Sequence, residues 1–99
     1  MYQTISMKDF YQQATQKKLH ILDVRPVEGF FAGHVPNAVS LPLEELPENL
    51  AQLSKDQKYY IICRSGQRSQ RASEFLAEAG YDVTNVAGGT LAWPGTLEK

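Results

Sequence analysis

The chain has 99 residues, ten of them basic and eleven acidic, which leaves a formal charge of −1, and 42% of its residues are hydrophobic. That length fits one domain spanning residues 1–99, and the apolar fraction is enough for a core, so a disordered chain is excluded. The near-zero charge argues against nucleic acid or an anionic membrane as a partner, and no apolar run approaches the ~20 residues of a membrane span.

A single cysteine, Cys63, cannot form an intramolecular disulfide, and His20 and His34 lack partners at metal-ligand spacing. Neither a metal nor an organic cofactor is expected. The opening "MYQTISMKDFYQQ" has no basic segment followed by an apolar one, so a reducing, cytoplasmic setting is expected rather than secretion.

In chain order, "TIS" (Thr4 to Ser6) reads as a short strand running into a helix, with Ser6 and Asp9 spaced as a capping box and Met7, Phe10, Tyr11 and Ala14 on one face. "LHILDV" (Leu19 to Val24) has the length and composition of a buried strand. A short helix is expected near Val27 to Ala32, a turn at Pro36–Asn37, and a strand over Ala38 to Leu41. "EELPENLAQL" permits a further helix, provided Pro47 falls in its first turn. "KYYIIC" (Lys58 to Cys63) is the clearest strand, aromatic and β-branched. Ser69 to Ala79 is helical in pattern, with Ala72, Phe75, Leu76 and Ala79 as its buried stripe and Gly80 as its stop. "YDVTNVAGG" supplies a last strand and a glycine turn, and "TLAW" a helical piece ended by Pro94. Strands alternating with helices, and strands apolar on both sides, predict an α/β domain whose central sheet is parallel and covered on both faces.

Function in such a sheet gathers beyond the carboxyl ends of its strands. Cys63 sits there, followed by Arg64, Ser65, Gly66, Gln67, Arg68 and Ser69 at the start of a helix. A loop that curls so that its N–H groups converge makes an anion site, and Gly66 permits the left-handed backbone such a curl needs. Helix N-termini and neighbouring cations bring a thiol down from about 8.5, and Arg64 and Arg68 are candidates for that charge. A buried core cysteine explains the end of the strand equally well, since free cysteine is among the most buried residue types. Local chemistry leaves both readings standing.

Four ordered stretches carry a resemblance: "LDVRPVEGFFAGHVPNAVSLPL", "YYIICRSGQRS", "RASEFLAEAGYDV" and "NVAGGTLAW". They resemble the Asp-Val-Arg … Gly-His-Val-Pro segment, the Cys-Arg-Ser-Gly-x-Arg-Ser loop and the Gly-Gly-x-x-x-Trp ending of the rhodanese (thiosulfate sulfurtransferase-like) family in its single-domain form. The resemblance implies a three-layer α/β domain with a central, mainly parallel sheet of about five strands. It also implies sulfur transfer: Cys63 takes a sulfane sulfur from a donor such as thiosulfate, holds it as a persulfide, and yields it to cyanide, a thiol or a protein acceptor. No cofactor is implied. Asp23, Arg25, Glu28, His34 and Trp93 fall in the matching motifs as supporting residues, with Asp23 and Arg25 as a structural polar contact and Trp93 as a wall of the pocket. Gly29 stands where some two-domain members carry an extra basic residue, so tight thiosulfate binding is not expected.

Two rivals remain within this frame. A phosphatase or arsenate-type reductase requires Cys-x5-Arg, which would place its arginine at Ser69; the shorter loop here fits a sulfur atom better than a tetrahedral oxyanion. A non-catalytic or redox-sensing rhodanese-like module would also retain an activated thiolate, although no second cysteine is present to resolve an oxidised one.

Overall fold

In the computed structural model, which describes residues 2–99, five parallel strands form one sheet. The strands are β1 (Gln3–Ile5), β2 (Ile21–Asp23), β3 (Ala38–Ser40), β4 (Lys58–Ile62) and β5 (Asp82–Val86), and the helices are α1 (Met7–Gln16), α2 (Val27–Ala32), α3 (Leu46–Asn49) and α4 (Gln67–Glu78). Across the sheet the order is β1-β5-β4-β2-β3, with β2 registered on both neighbours through Ile21↔Ala38 and Ile21↔Tyr60.

Period-two alternation explains why the strands are apolar throughout. In β2 and β4, Leu22, Tyr59, Ile61 and then Cys63 point to one face, where they pack with Leu46 of α3 and with Ala72 and Leu76 of α4. Ile21, Tyr60 and Ile62 point to the other face, against Phe10 of α1 and, at the edge of that cluster, Trp93. Both faces are therefore covered, as the sequence pattern predicts.

The local signals hold with small shifts. Ser6 Oγ accepts from the Asp9 N–H at 3.1 Å, which is one half of the expected capping box. Pro47 lies in the first turn of α3, Asn37 has φ +73° in the expected turn, and Gly80 has φ +96° past α4. The first strand begins at Gln3 rather than Thr4, and α4 begins at Gln67 rather than Ser69. "TLAW" forms a single 3-10 turn over Thr90–Ala92, because Trp93 before Pro94 is held extended. One helical face is corrected. Phe75 is 36% exposed, and the side of α4 against the sheet is instead Ser69, Ala72, Ser73 and Leu76.

The strand order places the site. β2 and β4 are neighbours, yet the chain leaves β2 toward β3 on one side and leaves β4 toward β5 on the other. The two connections diverge beyond the carboxyl ends of the strands and open a crevice between them, as at the switch point of an open α/β sheet.

Candidate active site

Cys63 directly follows β4 and is 2% exposed, at the floor of a cavity of about 610 Å³. Its walls come from the two diverging connections: Arg25, Glu28 and Ala32 after β2, and Arg64, Ser65 and Arg68 after β4.

The loop curls as its glycine allows. Gly66 has φ +109° and stands at the N-cap position of α4, where no side chain caps the helix. The free N–H groups of that helix end turn onto the sulfur instead. Cys63 Sγ accepts from the Gly66 N–H at 3.0 Å and from the Ser69 N–H at 3.4 Å, and Ser69 Oγ lies 3.4 Å from it. The Ser69 hydroxyl also donates to Gly66 O at 3.1 Å, so it can satisfy a neutral thiol and still turn to a thiolate. Burial pushes the Cys63 thiol up. The Ser69 hydroxyl and the N–H groups of Ser69, Gly66 and Ser65 outweigh it, and the thiol titrates below its ordinary value.

The arginines do not take the part first expected of them. Arg68 Nη1 donates to Glu44 Oε2 at 2.9 Å in an exposed pair, and neither Arg64 nor Arg68 is among the leading causes of the shift at Cys63. Hydrogen bonds at short range lead in favouring the thiolate.

A second contact fixes the loop from behind. The Thr90 N–H and hydroxyl donate to Cys63 O at 2.8 and 3.2 Å, and the Leu91 N–H donates to Arg64 O at 3.1 Å. This approach requires Gly89, since a Cβ there would lie 2.4 Å from Cys63 O and 2.5 Å from Arg64 O. Sequence reasoning reads Gly88 and Gly89 only as a turn and passes over Thr90 and Glu44. A glycine pair ahead of a threonine gives no hint of a partner more than twenty residues upstream.

The remaining expected residues divide. Arg25 Nη2 donates to Asp23 Oδ2 at 2.6 Å and to Gly33 O at 2.8 Å, while its Nε lies 2.9 Å from Asp23 Oδ1; Asp23 is fully buried. The pair clamps the start of the β2 connection to its end, and Arg25 keeps one side on the cavity. Glu28 lines the cavity and Gln67 stands at its edge with the loop. His34 lies outside it, stacked on Phe30 with ring centroids 3.9 Å apart and its Nδ1 3.0 Å from Phe30 O. Trp93 does not line the Cys63 cavity. It packs edge-on against Phe10 and Tyr11 and borders an adjoining cavity of about 380 Å³ that shares Arg64.

A family model for the rhodanese-like domain matches residues 6–96. The chain belongs to the rhodanese-like domain family. Within it, the chain is 40% identical over 79 residues to a candidate sulfurtransferase of Bacillus subtilis, YtwF, covering 80% of this chain and 77% of that one. It is 31% identical over 93 residues to the thiosulfate sulfurtransferase GlpE of Shewanella oneidensis, covering 93% and 92% of the two chains. A solved rhodanese-like domain protein from Staphylococcus aureus superposes with a TM-score of 0.89 at 36% identity, over 97% of this chain and 96% of that one. This rhodanese-like domain therefore has sulfurtransferases among its relatives, and among the described residues no helix is long and apolar enough to cross a membrane.

Proposed function

We propose that this chain is a cytoplasmic sulfurtransferase built on a single rhodanese-like domain, in which Cys63 carries sulfur as a persulfide. The Cys63 thiolate attacks the outer sulfur of a sulfane donor, of which thiosulfate is the simplest. The new Cys63 S–S bond forms as the S–S bond of the donor breaks, and sulfite leaves with the electron pair. A thiophile, cyanide in an assay or a thiol on a small molecule or protein, then attacks the outer sulfur of the persulfide and restores the thiolate. Atoms and charge balance in both steps without an outside oxidant or reductant.

The observation that carries this reading is the seat of the sulfur. Sγ rests at the N-terminus of α4 under the Gly66 and Ser69 N–H groups, at the floor of a cavity large enough for a donor. Those donors serve a thiolate before transfer and the anionic persulfide after it. The same geometry disfavours phosphoryl chemistry. The position six residues beyond Cys63 is Ser69, fully buried and turned onto Sγ, so no guanidinium stands there to clamp a phosphate.

Incubation with thiosulfate followed by intact mass measurement tests the reading. The expected result is a gain of one sulfur atom, reversed by cyanide and absent in Cys63→Ser. An unchanged wild-type mass with thiosulfate and with organic persulfides overturns it.

A further inference from the structure

Arg68 answers to two places at once. It borders the Cys63 cavity, and its Nη1 donates to Glu44 Oε2 at 2.9 Å. Arg25, also on the cavity, has no such freedom. It clamps buried Asp23 and Gly33 O, and to leave Asp23 would strand a buried carboxylate. The Arg68 pair is different in kind. Its two side chains are 44% and 67% exposed, so water takes over each end when the pair opens, and such pairs hold weakly. Arg68 is therefore the paired cavity arginine whose partner a bound anion can replace.

Glu44 is not among the residues that line the cavity, yet its place is fixed. It sits in a 3-10 turn over Leu43–Glu45. The Leu41 and Leu43 N–H groups donate to Asp23 O and Val24 O at 2.9 and 3.1 Å, which fastens that turn to the end of β2. The Glu44 carboxyl titrates below its ordinary value, through its own backbone N–H first and then through Arg68, with Arg71, one turn along α4, adding a smaller share. The carboxylate is thus charged at neutral pH, and part of its support remains when Arg68 leaves. An anchored carboxylate of this kind competes with any anion at Cys63 for the same guanidinium.

We infer that Glu44 is a specificity-determining residue of this site, although it lies outside the cavity. By holding Arg68 it withholds that charge from reactants at Cys63. An anionic reactant gains Arg68 only by displacing the carboxylate, whereas a neutral reactant is unaffected. Specificity of this kind comes from a built-in competitor and not from an added contact with the reactant. Applied to sulfur donors, the inference rests on the sulfur-transfer reading above.

The test compares iodoacetate, an anion, with iodoacetamide, its neutral analogue, by their second-order rate constants at Cys63. Both meet the same thiolate, so their ratio cancels any change in its titration. In Glu44→Gln the iodoacetate-to-iodoacetamide ratio is expected to rise about threefold, inside the roughly fivefold that one unit charge at about 4 Å exerts in water. In an Arg68→Ala background the same Glu44→Gln change is expected to leave the ratio unmoved. Sulfur uptake from thiosulfate, read by intact mass, should follow, with a lower half-saturating concentration in Glu44→Gln and little change in the maximal rate. A ratio unmoved by Glu44→Gln overturns the inference. So does a rise that survives Arg68→Ala, since Glu44 would then act by its own charge. A thiosulfate half-saturation unmoved by Glu44→Gln also overturns it and leaves sulfur transfer standing. No sulfur gained by the wild type overturns sulfur transfer alone, and the alkylation ratio still decides the role of Glu44.

Discussion

At the scale of single residues, Cys63 is activated by what touches its sulfur. Two N–H donors, those of Gly66 and Ser69, and the Ser69 hydroxyl, which can turn its proton to a thiolate, lie within 3.4 Å of Sγ. They offset the burial that would otherwise keep the thiol neutral. Ser69→Ala removes one of them and leaves the backbone donors in place. The expected result is an alkylation midpoint moved upward toward the ordinary thiol value of about 8.5, with several-fold slower alkylation at neutral pH. Arg68→Ala is expected to leave that midpoint unmoved, because its guanidinium is engaged by Glu44 outside the loop. An iodoacetamide rate profile against pH, run on both variants, checks the pair; a shift in Arg68→Ala alone would reverse the assignment. The nucleophile and the length of its loop are legible in the sequence because they are contiguous. The partner of Arg68 is not, since Glu44 is brought to it only by the folding of distant elements.

At the scale of elements, the loop after β4 is held by its neighbours on two sides. Behind it, the turn at Gly89 lies against the Cys63 and Arg64 carbonyls. Gly89→Ala would drive a methyl group into both and place alanine at φ +62°, for a cost of about 2–4 kcal/mol. Urea unfolding is expected to show that loss, together with slower sulfur uptake at Cys63; a stability unchanged from wild type would show that the turn can retreat. Across the cavity, the Asp23–Arg25 pair closes the β2 connection. Asp23→Ala leaves a nearly buried guanidinium without its carboxylate and is expected to cost about 3–5 kcal/mol by the same measurement. The elements themselves follow from period and composition: α2 covers the predicted residues, and each strand falls within a residue or two of its expected ends. Phe75 shows where periodicity misleads. Its spacing from Ala72 suits a buried stripe, but the small polar residues Ser69 and Ser73 take the sheet side, because α4 must bring Ser69 down onto the cysteine.

At the scale of the whole molecule, the order β1-β5-β4-β2-β3 turns two separate stretches of sequence into one crevice. The class of fold is legible from alternation, but pairing order is not, because apolar strands of similar length do not name their neighbours. The seat of the sulfur also ties the site to global stability. A thiol whose pKa is lower in the folded than in the unfolded chain is protonated more fully in the unfolded state between the two values. Folding stability therefore rises with pH through that window. The contribution is fully present above the unfolded value of about 8.5 and is lost as pH falls through the folded one. Comparing Cys63→Ser with wild type isolates this effect, since every other titrating group is common to both. The stability gap should grow in favour of wild type from neutral pH to alkaline pH and level off above the unfolded thiol value. Thermal unfolding at a series of pH values reads it. A gap that stays constant across that range would mean that the folded protein does not prefer the thiolate, and the hydrogen bonds to Sγ would then belong to a neutral thiol.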